Sequence, residues 1–553
     1  MAGEDAELGP HTTGPSNITS KSCSQQDADA SKADGSPVQR RLALLVAVLY
    51  AFIAGFDFAA AAAALPVIGI KFSQYTTVNW VVTAYMIAMG VAMPSVRRLA
   101  AVGGQRAALL AFGLLHIAGA AMSGAAHGVP LLLAGRAVAG LGAAGTVMVP
   151  MMAATEAGPR CWRVCCFRAL LAAWLVGSVV GLAAGARLSS LSSWRWVFYF
   201  DLPFLAVGLV VGAVVVRAPA HDGPVVDKLM RVDWMGSVFV AGSVLAMDLA
   251  MNYGGNLFAW SSGVVIGLLV LAVALFFIFV FIESKMAREP ILPRGLFQER
   301  VSAALLVMQP LIGIGIYAPV VYVTIWYSTV KGVSSTSAAL RVLAIPIGAL
   351  LAAAVSEAGL VLLKRCRLLL PLSAVLMAVG SGLLITLKSS TSAGLPIVYM
   401  AVLGLGAGAS LQAPLIVIWR ASGVSELADV VASVMFLRLL GAATGIGMLN
   451  AILQNNLSTK LAVVALENLF FAQYVLKSPD NPDIMQLPRV PQSARDDVAH
   501  ANAQGLRSVF IAGFAVVAVS IPLLVFLPHR PRRSPPAAAA TAAGVTAAVE
   551  PVT

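Results

Sequence analysis

Six ionisable side chains interrupt long apolar runs of the sequence, where charge is otherwise scarce. They are Asp57, His116, Arg136, Asp201, Asp248 and Arg438. An ionised group costs at least ~2.5–3.5 kcal/mol at the centre of a membrane, so such residues usually mark a functional pathway. Asp57, midway along the first run, is the best candidate for a proton carrier, because burial favours a neutral carboxyl group. The alternative is a structural acid bonded to a neighbouring helix.

Arg136 begins a glycine-rich segment that continues through Gly140 and Gly142. Glycines let another helix approach closely, whereas a buried guanidinium needs an acid or carbonyl groups as partners. Arg136 is therefore either a functional group or a purely structural cation, and the local sequence leaves both interpretations open.

The other ionisable residues have less specific surroundings. His116 is interpreted as a packed polar residue. Asp201 follows Trp194-Arg195-Trp196 and is interpreted as an anchor near the membrane interface. Asp248 and Arg438 either line a cavity or pack between helices.

A second spacing pattern concerns glycines. Gly177, Gly181 and Gly185 recur every four residues, lie on one helix face and predict a tight helix crossing. Aromatic side chains in the apolar runs are candidates for lining a substrate cavity, although most such side chains lie at interfaces or in packing contacts. The candidates are Trp80, Tyr85, Trp174, Trp326 and Tyr327.

The composition explains why these residues are exceptional. Of 553 residues, 59% are hydrophobic and 11% charged, against about 45–50% and about 25% in soluble domains. This excludes an ordinary cytosolic enzyme, a disulfide-built secreted domain and a disordered scaffold. The net charge of +12 is expected where cytoplasmic loops collect Lys and Arg. We therefore expect a lipid bilayer around the chain and no nucleic-acid partner.

Fourteen apolar runs are long enough to cross a bilayer at roughly 20 residues each. They lie near residues 42–70, 78–96, 107–125, 129–153, 169–189, 194–216, 233–253, 258–282, 302–328, 337–362, 369–387, 393–419, 430–453 and 505–527. Alternate connections are rich in arginine, which places those connections and both termini in the cytosol.

The runs divide the chain into five segments. We expect a disordered cytosolic tail over 1–40, a six-helix half over 41–217, two linker helices with a cytosolic loop over 218–300, a second six-helix half over 301–528, and a disordered tail over 529–553. A long non-cytosolic loop is expected over 456–504, where Asn456-Leu457-Ser458 matches the glycosylation acceptor pattern.

Several classes of protein are excluded by what the sequence lacks. It has no Gly-x-x-x-x-Gly-Lys-Ser/Thr motif for a nucleotide-driven pump, no arginine ladder and no filter-like loop. Cys161, Cys165 and Cys166 are interpreted as loop thiols rather than as a metal or acylation site. No metal-ligand cluster and no nucleophile–base pair are recognised, so neither an enzyme nor a cofactor is expected. A secondary transporter remains.

Motifs in a consistent order resemble the 14-spanner drug:proton antiporters of the major facilitator superfamily, particularly fungal exporters of secondary metabolites and toxins. Asp57 with Ala64-Leu65-Pro66 is similar to the first-helix pattern, and Trp80-x-x-x-x-Tyr85 to the start of the second helix. Arg136-x-x-x-Gly140-x-Gly142 resembles the fourth-helix motif, whose arginine is implicated in proton coupling. Trp194 to Pro203, the Pro290-Ile291-Leu292-Pro293 segment and Lys331-Gly332 resemble later motifs.

The chain departs from that pattern at defined positions. Gly104 and Arg106 keep the end of the loop motif between helices two and three, but Arg97 replaces its first glycine and Ala101 its acid. Leu182 stands at the position where the fifth-helix motif has a proline. Ala139 replaces a glutamine, and Asp201 replaces an asparagine in the sixth-helix signature.

The resemblance implies a monomeric, multi-pass membrane protein that exports a hydrophobic small molecule, drug or toxin in exchange for protons. Asp57 and Arg136 would couple protons, and the glycines of helices four and five, with Gly104 and Arg106, would serve gating and helix packing. The plasma membrane is expected, with the vacuolar membrane as the alternative. Proton-coupled uptake of a siderophore-like molecule, or a transport-inactive receptor, remain alternative functions.

Overall fold

The computed structural model describes residues 37–525, apart from 73–77, 157–159, 192, 217–228, 231, 256, 364–365, 423–426, 468 and 479–489. The described chain contains fourteen long apolar helices, numbered in chain order. They are α1 Pro37–Phe72, α2 Trp80–Gly103, α3 Gln105–Ala125, α4 Val129–Glu156, α5 Arg160–Leu191, α6 Asp201–Val215, α7 Trp234–Tyr253, α8 Gly263–Phe281, α9 Gln309–Thr329, α10 Ala344–Leu363, α11 Cys366–Leu384, α12 Leu395–Ser422, α13 Leu427–Glu467 and α14 Gln492–Val525.

The expected all-α membrane architecture is confirmed. Within the described ranges, thirteen helices are long and apolar enough to cross a membrane. The eleventh expected span is shorter, since α11 contributes the apolar segment Leu369–Leu384. Short helices continue three of the long ones: Trp196–Tyr199 precedes α6, Arg300–Val307 precedes α9, and Ser335–Val342 precedes α10.

Local polar residues set several helix ends. The side chains of Asp233 and Ser262 accept hydrogen bonds from the amides of Gly236 and Val265, which caps the start of α7 and of α8. Gly104 separates α2 from α3 with φ at 86°, a conformation that side-chain-bearing residues rarely adopt. The turn in the loop motif thus depends on this glycine.

The same helix pairing occurs twice along the chain. In the amino-terminal half α1 packs on α4, α5 and α6, α2 on α4, and α3 on α4 and α6. In the carboxy-terminal half α9 packs on α12, α13 and α14, α10 on α12, and α11 on α12 and α14. The two six-helix halves are therefore built alike, and they meet mainly where α2 contacts α13 and α5 contacts α10 and Ser335–Val342.

The two linker helices, α7 and α8, lie between the two halves in the sequence and pack on each other. α7 packs on α8 and also contacts α13 and α2, one helix from each half. α8 leaves apolar side chains such as Val270, Phe277 and Phe281 exposed. An apolar helix of this kind is suited to a lipid environment.

Glycines allow backbone contact between the first and fifth helices of each half. A Cβ atom added at Gly177, Gly181 or Gly185 of α5 would lie 2.1, 2.4 or 2.5 Å from backbone atoms of α1. The corresponding pair in the second half, α9 and α13, has the same property at Gly313 and Gly441. The spacing of four therefore marks a helix contact without side chains between the backbones.

Residues 456–504 differ from the expected long loop. α13 is one helix of 41 residues ending at Glu467, Ala472–Lys477 is helical, and α14 already begins at Gln492. A separate apolar cluster joins these parts, including Leu457, Leu461 and Val498. The hydropathy minimum that predicted a loop reflects helices that continue past the apolar layer.

The α1–α5 contact gives a stability prediction. Gly181→Ala gains up to about 1 kcal/mol of helix propensity, but its methyl group meets the carbonyl oxygen of Phe56 at 2.4 Å, and overpacking costs about 1–3 kcal/mol. We expect a lower melting temperature for the detergent-purified variant. Gly267→Ala in α8, with nothing within 4 Å, is the matched control and should melt at or above the wild-type temperature. Equal melting of both variants would contradict a tight α1–α5 contact.

Candidate transport site

The two main candidates from the sequence form a buried ion pair. The Nη1 atom of Arg136 in α4 donates to Oδ1 of Asp57 in α1 over 2.6 Å. Arg136 is fully buried and Asp57 is 2% exposed. Because the attraction between charges is strong where water is excluded, this pair ties α1 to α4 at the centre of the amino-terminal half.

The surroundings of Arg136 hold its guanidinium in place. Its Nε atom donates to the carbonyl of Val81 in α2 at 3.0 Å, and its Cζ atom lies 4.4 Å from the ring centre of Tyr85 and 5.3 Å from that of Phe198. Such cation–ring contacts add to the attraction when both groups are desolvated. Tyr85, expected in the substrate cavity, thus lies beneath Arg136 instead.

The glycines after Arg136 bring α4 close to its neighbours. A Cβ atom at Gly140 would lie 2.4 Å from the carbonyl oxygen of Tyr85 in α2, and one at Gly142 would lie 2.2 Å from the amide nitrogen of His116 in α3. His116 is buried and its Nδ1 atom is 3.2 Å from Oγ1 of Thr146 in α4. These contacts position α2 so that the Val81 carbonyl and the Tyr85 ring reach the guanidinium.

Asp201 lies in the interior, contrary to its interpretation as an interfacial anchor. It is 2% exposed, its Oδ2 atom has no hydrogen-bond partner among the described residues, and it lies within electrostatic range of Asp57 and Arg136. The amino-terminal half therefore holds two acids near one arginine. The replacement of asparagine by Asp201 in the sixth-helix pattern was the available signal, but the neighbouring tryptophans favoured an interface.

A cavity lies between the two halves and encloses about 1010 Å³ of space, part of it open to solvent. Its wall comes from α1, α2, α4, α5 and from α9, α10, α12 and α13, and is almost entirely apolar. Phe58, next to Asp57 in sequence, belongs to this wall and packs edge-on against Tyr317 of α9, with ring centres 4.9 Å apart. Asp57 thus lies on the same helix as part of the cavity wall and next to one of its residues in sequence.

The carboxy-terminal half contributes one cation to the cavity wall. Arg438 of α13 lines the cavity and is fully buried. Its Nη2 atom donates to Oε1 of Gln309 at 2.6 Å, whereas its Nε and Nη1 atoms have no partner among the described residues. Of the seven side chains expected at the substrate cavity, Arg438 and Trp174 are found in this wall.

The remaining candidates for the cavity lie elsewhere. Trp80 is the half-buried first residue of α2. Trp326 and Tyr327 are buried in α9, and the hydroxyl of Tyr327 donates to the carbonyl of Ala393 at 2.9 Å. Asp248 is buried in α7 beside Gly447 of α13. None of these four side chains lines the cavity.

The two ends of the bundle are closed by different chemistry. The arginine-rich end carries Arg97, Arg98, Arg106, Arg163 and Arg168. There Arg97 forms an ion pair with Asp429 of α13, and Arg98 pairs with Glu289 at 3.2 Å. Arg97 stands where the family pattern has glycine. The chain therefore links its halves by a charge pair within the loop motif in which Ala101 replaces the usual acid.

At the opposite end, amides connect the halves. Nδ2 of Asn79, before α2, donates to Oδ1 of Asn450 in α13 at 3.3 Å, and Nδ2 of Asn450 donates to Oδ1 of Asn252 in α7 at 3.0 Å. Thr336 also donates to the carbonyl of Ala186 in α5 at 3.2 Å. The cavity wall comes from the middle of the helices and from their parts toward the arginine-rich end, so these bonds close the other side.

Three further expectations concern other chemistry. Asn456 lies within α13, where its Nδ2 atom donates to the carbonyl of Ile452 at 2.8 Å. Cys165 is exposed and Cys166 buried, both as free thiols, and the side chain of Cys161 lies outside the described residues. In the part of the chain that the structure describes, no group of three or more His, Cys, Asp and Glu side chains is placed to hold a metal ion.

Comparisons with known proteins agree with this architecture. The sequence model of the Major Facilitator Superfamily matches residues 47–446. The efflux pump dotC of Dothistroma septosporum is 26% identical over 501 residues, covering 89% of this chain and 85% of that protein. An uncharacterized MFS-type transporter of Mycobacterium tuberculosis is 27% identical over 496 residues, covering 90% of this chain and 70% of that protein.

A solved structure shows the same fold. A bacterial homolog of the human lysosomal transporter Spinster matches with a TM-score of 0.53 at 16% identity, covering 89% of this chain and 97% of that chain. At this identity the likeness concerns the fold alone. The family match, in contrast, spans most of the chain, from within α1 to within α13. The protein therefore belongs to the Major Facilitator Superfamily of transporters.

Proposed function

We propose that the protein exports a hydrophobic small molecule across the plasma membrane in exchange for protons. The observation that carries this proposal is a buried acid–base pair of Arg136 with Asp57, whose helix α1 also lines an apolar cavity between the halves. An apolar wall suits an apolar cargo, and an interior carboxylate suits a proton. The fungal relatives named efflux pumps support export rather than uptake.

Asp57 would carry the proton, which would compete with Arg136 for the Asp57 carboxylate. A proton on the Asp57 carboxylate removes the charge that attracts the guanidinium, while Arg136 keeps its bond to the Val81 carbonyl. Asp201 lies within electrostatic range of both groups, so a second acid stays near Arg136 when the pair opens.

α1 would transmit this change to the cargo. The same helix carries Asp57 and the wall residues Ala51, Phe58 and Ala59. Because α1 touches α5 backbone to backbone at Gly177, Gly181 and Gly185, the two helices move as one body. A shift of Asp57 on protonation therefore reshapes the wall on the amino-terminal side.

Alternating access would use the two end closures in turn. In the conformation described, the amide bonds of Asn79 and Asn450 close the opposite end, and the cavity extends toward the arginine-rich end. We place the arginine-rich end and both termini in the cytosol, following the positive-inside rule. The cargo then enters from the cytosol, and rocking of the halves exposes it outside.

The role of Asp57 is tested by Asp57→Asn, which keeps the shape of the side chain and removes its charge. We expect efflux of the lipophilic dye Nile red from proteoliposomes, driven by an imposed pH gradient, to fall to the level of protein-free vesicles. The variant should still purify as a folded protein.

The matched control for Asp57→Asn is Asp496→Asn, at an exposed position of α14. It should transport like the wild type. Wild-type efflux by Asp57→Asn would disprove the proton role, and wild-type protein that moves neither dye nor protons would favour the receptor alternative.

The ion pair at the arginine-rich end predicts a charge-swap result. Exposed pairs contribute about 0.2–1 kcal/mol, so Arg97→Glu or Asp429→Arg alone, each creating like charges, should raise opening of this end about 1.4- to fivefold. The double variant should return to the wild-type value. The measurement is the rate at which a water-soluble maleimide labels a cysteine placed by Met435→Cys in a background without native cysteines. If the two effects simply add, the residues do not form a pair in the membrane.

A further inference from the structure

We propose that the cargo is a lipophilic anion, with an apolar body and one acidic group, and that Arg438 binds the acidic group. This inference deepens the proposed export function and rests on it for the identity of the cavity. Four observations support it: the burial of Arg438, its incomplete hydrogen bonding, its place in the cavity wall and its contrast with Arg136.

Arg438 is a buried cation with incomplete bonding. It is 0% exposed, and one neutral acceptor, Oε1 of Gln309, takes a hydrogen bond from Nη2. The Nε and Nη1 groups find no acceptor, and no carboxylate forms an ion pair with Arg438 among the described residues. A buried charge in this condition is costly unless another group pairs with it, and the chain as described leaves that place open.

The comparison with Arg136 shows what the missing group is. Arg136 has the Asp57 carboxylate at 2.6 Å and the Val81 carbonyl at 3.0 Å. Arg438 lies in the cavity wall, and among the described residues a carboxylate pairs with Arg136 but none pairs with Arg438. The chemistry absent at Arg438 is therefore an oxyanion, and a guanidinium binds carboxylate-like groups through two parallel hydrogen bonds.

The rest of the cavity suits the apolar part of such a molecule. Its wall consists of aliphatic and aromatic side chains from both halves. Ser178, one of its few polar members, donates to the carbonyl of Trp174 in its own helix at 2.9 Å. Orientation of a cargo would thus depend on Arg438, with Tyr317 beside it in the wall.

Access to Arg438 requires a local movement. Its guanidinium is covered in this conformation, so an acidic group has to part neighbouring side chains. Met435, one turn earlier on α13 and also in the wall, is unbranched and adaptable. An anion that reaches Arg438 enters a water-poor site, where its attraction to the guanidinium is strengthened.

The test uses two probes that differ in charge alone: 1-pyrenebutyric acid, a lipophilic anion at neutral pH, and its uncharged methyl ester. Binding to the detergent-purified full chain is measured at equilibrium, without a pH gradient, by the concentration dependence of thermal stabilisation. We expect the wild type to bind the acid at least about tenfold more tightly than the ester. Equal affinities for the two probes would overturn the proposal.

Arg438→Met assigns the preference to the arginine. Methionine has a similar reach without charge, and replacing an uncompensated buried cation by an apolar side chain is not expected to reduce stability. This variant should bind acid and ester equally, with unchanged affinity for the ester. Retention of the tenfold preference would overturn the role of Arg438, as would loss of ester binding in the folded variant, which would make the arginine structural.

Two further variants keep the test decisive. If Arg438→Met does not fold, Arg438→Lys keeps the charge but not the paired donors and should show a reduced preference for the acid; an unchanged preference would contradict paired recognition. Asp496→Asn, at an exposed position of α14 outside the cavity, should leave the preference intact. Because binding is measured without a gradient, the two proposals can fail separately. Tight binding of the acid without transport would refute proton-driven export alone. Transport of both probes with no effect of Arg438→Met would refute this inference alone.

Discussion

The structure depends on one constraint: a charge inside an apolar helix bundle must have a partner that the bundle itself brings within reach. Arg136 and Asp57 satisfy it at 2.6 Å, and much of the amino-terminal half follows from that pair. The glycines of α4 draw α2 close enough for the Val81 carbonyl to accept from Nε, and the rings of Tyr85 and Phe198 exclude water around the guanidinium. The contact is strong because its surroundings exclude water.

The two halves share a helix arrangement but differ in their charges. In both, the first and fifth helices touch through glycines, α1 with α5 and α9 with α13. The amino-terminal half neutralises its arginine internally, whereas the carboxy-terminal half offers Arg438 a single amide. A duplicated scaffold thus supports two tasks under our proposals, with protons handled in one half and cargo recognised by the other. Both halves contribute side chains to the wall of the apolar cavity between them.

Much of this arrangement was accessible from the sequence, and the failures have physical causes. Hydropathy located the spans, and the cost of buried charge singled out Asp57 and Arg136, although no local pattern could show that residues 79 positions apart touch. Asp201 was misplaced because its tryptophan neighbours look interfacial. Trp326 and Tyr327 were expected in the cavity wall but lie outside it. In a sequence, an aromatic side chain that packs between helices looks the same as one that lines a cavity. The loop expected over 456–504 was wrong in large part, since a helix that leaves the membrane loses its hydropathy but not its hydrogen bonds.

That continuing helix has a mechanical consequence. At 41 residues α13 is about 60 Å long, roughly twice the ~30 Å hydrocarbon thickness, and the apolar cluster around Leu461 and Val498 fastens its tip to α14. α13 also carries Arg438 and meets α2 of the other half. Any tilt of the carboxy-terminal half is therefore magnified at this tip, as at the end of a lever. A spectroscopic label there would report the angle of the half from outside the bilayer without touching the route of the cargo.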